Sequence, residues 1–134
     1  MAAVRRIEFD VLKEPFPPSS TVEEPTAKDV EELFEQLDGE RIDSCVLEIS
    51  DENYLGVAWG GGFVVSIRTP GISYQLVGDA SATGDVVIRM GGQDSDAPAR
   101  LVTEKPRALK AAKYYLESGS PDPSLTWEEE HYEV

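Results

Sequence analysis

The chain has one cysteine and one histidine in 134 residues, and both scarcities exclude chemistry. Cys45 alone cannot form an internal disulfide, and its solitude fits a reducing cytosol. A zinc site would lack ligands. Histidine, the side chain most used as a general base, occurs once, as His131 in the acidic tail, where a solvated residue is the plain reading. Positive charge is scarce too: 12 Lys and Arg stand against 26 Asp and Glu, a net charge of −14. Such a surface repels phosphate backbones and anionic lipid, which argues against direct nucleic-acid binding and against docking on a membrane. No apolar run approaches the roughly 18 residues of a spanning helix. No charged-then-apolar start resembles a signal peptide, so the expected location is cytoplasmic.

What is present suffices for one core. Forty per cent of the residues are apolar and 28% charged, outside the composition of chains that stay disordered. The length fits a single domain spanning residues 1–134. The acid is uneven. Residues 14–59 hold thirteen acids and two bases, a net of −11, whereas 60–93 balance at two and two. Residues 94–134 carry nine acids and five bases, with the bases confined between Arg100 and Lys113. Solubility is one consequence of that pattern. The other is an acidic face that steers a basic partner, because complementary fields raise on-rates and set partner choice.

Patterning predicts an α+β domain: an antiparallel β-meander of five to six strands with two helices packed on it. Val4–Leu12 alternates roughly as an opening strand, and Glu14–Pro25 is a proline-rich connection. Thr26 is placed to cap a helix, with Asp29 completing a short-armed capping box and Gly39 closing it. The helix buries Ala27, Val30, Leu33, Phe34 and Leu37. Five β-rich runs follow, Cys45–Ile49, Tyr54–Trp59, Phe63–Ile67, Ile72–Val77 and Val86–Met90, separated by turn residues. A Gly- and Asp-rich loop, Gly91–Pro98, leads to a short extended piece near Arg100–Val102. Thr103 is placed to cap a second helix with Pro106 in its first turn. Ala108, Leu109, Ala112, Tyr115 and Leu116 form its buried stripe, Gly119 stops it, and Leu125 and Trp127 pin the tail.

Catalytic constellations do not assemble from these residues. Cys45 lies in an apolar strand pattern and reads as a small buried hydrophobe. Asp94-Ser-Asp96 alternates oxygen ligands but lacks the downstream Glu of an EF-hand loop. Gly60-Gly-Gly62 has no following Lys-Ser/Thr and leads into a strand, so it reads as a hairpin turn rather than a phosphate cradle. Trp59, Tyr74, Tyr114 and Tyr115 could line a ligand pocket, although aromatics at such spacings fill cores. No catalytic, cofactor-binding or metal-ligating residue is assigned, and no cofactor is implied.

One stretch is more specific. Pro106-Arg-Ala-Leu-Lys-Ala-Ala-Lys-Tyr-Tyr-Leu-Glu-Ser-Gly119, followed by Pro123-Ser-Leu125-Thr-Trp127, resembles the C-terminal signature of the family numbered first among the immunity proteins of polymorphic toxin systems. That signature is a helix with an Ala-Ala pair, a short Gly/Pro link, then Pro-x-x-Leu-x-Trp. Here Pro123 is one residue tight and Pro121 keeps a looser spacing. The strand series Tyr54–Val77 shares the resemblance more weakly, and Pro15–Pro25 looks like a local elaboration. The resemblance implies a cytoplasmic, non-enzymatic antidote that binds one cognate toxin domain, one-to-one, and blocks it. Several members neutralise toxins with a cytidine-deaminase-like fold.

The family carries no catalytic residues over, so contact residues are chosen by chemistry and position. Asp51, Glu52, Asp94 and Asp96 in loops, and Asp79 in the turn after Ile72–Val77, are candidates because loops reach into concave sites. Trp59, beside Gly60-Gly-Gly62, is a candidate anchor, with burial in the core as its other reading. Three other functions compete: a small-ligand module with a pocket between helix and sheet, an enzyme using a carboxylate pair, and an acidic regulator of another nucleic-acid enzyme.

Overall fold

The computed structural model describes residues 3–10, 19–38, 42–90 and 93–132. Among them, nine strands form one antiparallel sheet with two α-helices on one face, the α+β class expected. The strands are β1 (Arg6–Asp10), β2 (Ser19–Glu23), β3 (Ser44–Ser50), β4 (Asn53–Trp59), β5 (Phe63–Thr69), β6 (Ile72–Leu76), β7 (Asp85–Met90), β8 (Gln93–Pro98) and β9 (Trp127–His131). The helices are α1 (Ala27–Gln36) and α2 (Lys105–Ser118). Strand order is β2-β1-β3-β4-β5-β6-β9, so the meander runs from β3 to β6.

Period-two alternation sorts the sheet into two faces. Ile7, Cys45, Leu47, Leu55, Val57, Phe63, Val65, Ile67 and Leu76 point toward the helices and are buried. The helices cover them with Val30, Leu33 and Phe34 from α1 and Ala108, Ala111, Ala112, Tyr115 and Leu116 from α2. The Ala-Ala step lets α2 lie close to β4 and β5, and Phe34 stacks on Phe63 with ring centroids 5.7 Å apart. Among the described residues the space between helix and sheet is filled by core side chains rather than by the pocket a small-ligand module would need there.

Caps follow the sequence at α1. Thr26 Oγ1 accepts from the Asp29 N–H and the Asp29 carboxylate accepts from the Thr26 N–H, the reciprocal pair of a capping box. The helix ends earlier than expected, with Leu37 as its C-cap, and Gly39 lies outside the described residues. Gly119 closes α2 at φ 70°, where its N–H donates to the Tyr115 carbonyl at 2.8 Å. Thr103 does not cap α2. Its N–H and C=O both bond Phe63, which extends the sheet by one bridge, and Glu104 stands at the N-cap without a side-chain bond. Arg100 and Leu101, expected extended, lie in a single 3-10 turn, Ala99–Leu101.

Three elements were not expected. Ser19–Glu23 falls inside the proline-rich connection, yet it is proline-free and pairs with β1 as an edge strand. Gln93–Pro98 forms β8 against β7 rather than a loop; Gly91 and Gly92 lie outside the described residues. The acidic tail forms β9 and takes the place beside β6 expected for the fifth meander strand. β7 leaves the meander and touches the sheet through one backbone pair, Trp59↔Arg89. Gly60 permits that crossing: a Cβ there would lie 2.5 Å from Ile88 Cα and from the Val87 carbonyl oxygen. The β7–β8 hairpin then folds over the other sheet face and buries Ala58, Ile88 and Ala97 in a second small core.

Candidate partner-binding surface

The two helices cancel in charge. α1 carries four acids and one base, α2 four bases and one acid, so net charges of −3 and +3 are packed side by side. Lys113 Nζ reaches Glu31 at 3.2 Å and Lys105 Nζ reaches Glu35 at 3.1 Å, which ties the helices together across their seam. The whole −14 of the molecule therefore resides in the strands and their connections. The acid-rich segment 14–59 loses the α1 share of its field, because the basic stretch Arg100–Lys113 folds beside it.

The sheet face turned away from the helices is built from the alternate residues. Across it run Glu23 of β2, Arg6 and Glu8 of β1, Ser44, Val46 and Glu48 of β3, and Tyr54, Gly56 and Ala58 of β4. Val64, Ser66 and Arg68 of β5, Ser73 and Gln75 of β6, and Glu128 and Glu130 of β9 complete it. Its centre is small and weakly polar, and five glutamates against two arginines sit around that centre. Arg6 is held by Glu48 at 2.7 Å and Glu8 at 3.2 Å. Arg100, from the 3-10 turn, forms a two-pronged pair with Glu128 at 2.7 and 3.1 Å, and its hydrogen bonds hold the Glu128 carboxyl below its ordinary range. Arg68 lies over the Tyr132 ring, 4.7 Å from its centroid. Between this face and the overhanging β7–β8 hairpin is a groove of 230 Å³, lined by Val46, Tyr54, Gly56, Ala58, Val64, Ser66 and Ile88 among others.

The six candidate residues fall in three places. Asp51 and Glu52 are exposed in the β3–β4 turn, whose backbone is fixed by the Ser50 hydroxyl accepting from the Glu52 N–H. Trp59 and Asp79 lie at the opposite end of the sheet, where β4 ends and β6 has just ended. Trp59 is half-buried and packs against the main core. Asp79 is exposed, and bonds from the Ser81 hydroxyl and N–H, at 2.6 and 3.0 Å, hold its carboxyl below the usual value. It borders a shallow depression of 370 Å³ shared with Gly61, Thr103, Glu104 and Arg107. Asp94 and Asp96, expected in a loop, are exposed on one face of β8, opposite Arg89 and Val87 of β7. Thus Trp59 and Asp79 share one end and the two β8 acids share a strand, while Asp51 and Glu52 stand apart. Sequence reading missed the open face, whose signal was present in the small and polar residues alternating with the apolar ones along β3, β4 and β5.

Groups with catalytic potential are inert by placement. Burial pushes the Cys45 thiol up to about 12, so it is a thiol and not a thiolate at neutral pH. His131 is exposed on β9 with Glu129 at 3.5 Å. Among the described residues no three His, Cys, Asp or Glu side chains gather to hold a metal ion, and no helix is long and apolar enough to cross a membrane.

A family model described as Immunity protein Imm1 matches residues 19–129, most of the chain, from the edge strand β2 into the last strand β9. Neither a search of curated proteins nor a search of solved structures returned a match.

Proposed function

The chain belongs to the Immunity protein Imm1 family, and from that membership we propose that it blocks its toxin by laying the acidic sheet side of the molecule over the toxin's active site or substrate channel. As an immunity protein it neutralises a cognate toxin and performs no turnover of its own. The partner proposed is a deaminase-fold domain acting on nucleic acid inside the producing cell, bound one-to-one. Such an enzyme needs a cationic channel for the phosphate backbone and a pocket for an extruded base, with zinc activating a water. An anionic protein competes for that channel on the terms the substrate uses.

One observation carries this reading: the helix layer is neutral while the strands and connections hold all of the −14. Asp51, Glu52, Asp79, Asp94 and Asp96 lie on that charged side or at its ends, and each is exposed, as a contact residue must be. Steering by such a field brings capture rates toward 10⁸ M⁻¹ s⁻¹, which matters when the target damages nucleic acid at every turnover. The test is a titration of the toxin domain encoded by the adjoining gene. Activity is expected to fall linearly to zero at one equivalent; residual full activity at tenfold excess would overturn the reading.

A further inference from the structure

Resting on the reading of the chain as a toxin inhibitor, we propose that the groove between the open face of the sheet and the β7–β8 hairpin receives one apolar side chain of the toxin, flanked there by basic residues. Size argues for a side chain. Pockets for free small molecules run from roughly 300 to 1,000 Å³, and this one is 230 Å³. Among the described residues its wall is mainly apolar, from Val46, Ala58, Val64 and Ile88, with the Ser44 and Ser66 hydroxyls, the Tyr54 phenol and the Cys45 thiol as further side-chain groups. A small desolvated pocket ringed by polar groups is the form that dominant interface anchors fill.

Charge argues for what flanks the anchor. Glu8, Glu23 and Glu48 border the open face on the β1–β3 side, and Glu128 and Glu130 on the β9 side. Arg6 is engaged by Glu48 and Glu8, which leaves the β1–β3 border negative, whereas on the β9 side Arg100 pairs with Glu128 and Arg68 lies beside it over the Tyr132 ring, so that border is balanced. A partner seated here is favoured when it brings positive charge beside its apolar residue toward the β1–β3 border, as the lip of a nucleic-acid channel does.

Gly56 supplies the third argument. It sits in the interior of β4, where glycine costs stability relative to residues that favour strands. Nothing inside the chain demands it: a Cβ there would meet only Ser66 Oγ, at an ordinary 3.7 Å. What the missing side chain does is keep the floor of the groove open.

Gly56→Val tests this directly, read as melting temperature and as affinity for the same purified toxin domain. The expected result is a melting temperature equal to or above that of the parent with at least a tenfold rise in Kd, while Tyr114→Ala, on the exposed side of α2, stays within twofold. A folded Gly56→Val that binds within twofold of the parent overturns the groove. Should that variant melt early, Glu23→Lys combined with Glu130→Lys decides: both positions are exposed, and a several-fold slower association is expected at unchanged stability. An unchanged association rate overturns the proposal. Failure of the parent protein itself to bind would instead remove the inhibitor reading on which the groove depends.

Discussion

Tyr115 is wholly buried in the last turn of α2, yet its hydroxyl finds no hydrogen-bond partner among the described residues. Burial pushes that phenol up to about 12, so it stays neutral and its cost is that of an unsatisfied dipole. Such a group costs about 1–3 kcal/mol, so Tyr115→Phe should stabilise the protein by about 1 kcal/mol. Urea unfolding measures it as a higher midpoint at unchanged slope, and a lower midpoint would show that the hydroxyl is bonded. At this scale the sequence was informative wherever one local rule decided the outcome. Thr26 and Asp29 formed their capping box, Gly119 took the left-handed cap, and Cys45 was buried. Thr103 was misread because its backbone is claimed by Phe63, forty residues away, and no local rule contains that partner.

Among the elements, apolar strands were legible and polar ones were not. β3, β4 and β5 alternate between core and open face, so their period shows in the residues themselves. β2, β8 and β9 read Ser-Ser-Thr-Val-Glu, Gln-Asp-Ser-Asp-Ala-Pro and Trp-Glu-Glu-Glu-His. Each lies at an edge of the sheet, where pairing supplies backbone hydrogen bonds without requiring apolar side chains, and edge acids discourage further pairing. The departure of β7 from the meander was equally hidden, since it depends on Gly60 letting another backbone cross within contact. Gly60→Ala places a methyl 2.5 Å from that backbone, too close for any side chain to yield. The expected result is loss of hydrogen-exchange protection across β7 and β8, with β3 to β6 protected as in the parent. Full protection of the hairpin in that variant would contradict the account of how it is anchored.

At the level of the whole molecule, composition gave the sign of the field and folding gave its place. The excess of acid was plain in the sequence, and its concentration in residues 14–59 suggested one acidic lobe. The fold redistributes it: α2 brings +3 against the −3 of α1, and the negative excess is left to the residues outside the helices. That cancellation depends on two segments some seventy residues apart becoming neighbours, which no window along the chain reports. The six candidate contacts are acids of loops and turns and one aromatic at a strand end. The groove on the open face was passed over because its members, Gly56, Ala58 and Ser66, carry no chemistry individually and become a surface only together. An antidote built this way needs no reactive group. On the proposed reading it needs charge for fast capture and shape for retention, with the helices as a neutral brace behind.

The measurement that tests this most directly is the rate at which the protein associates with its toxin domain as ionic strength rises. If the unbalanced acid on the sheet side draws in a cationic channel, the association rate should fall by about tenfold or more between 10 and 200 mM salt, as the screening length shortens from about 30 to under 10 Å. The dissociation rate should change much less. An association rate flat across that range would contradict the account, because capture would then owe nothing to the molecule's acidic field.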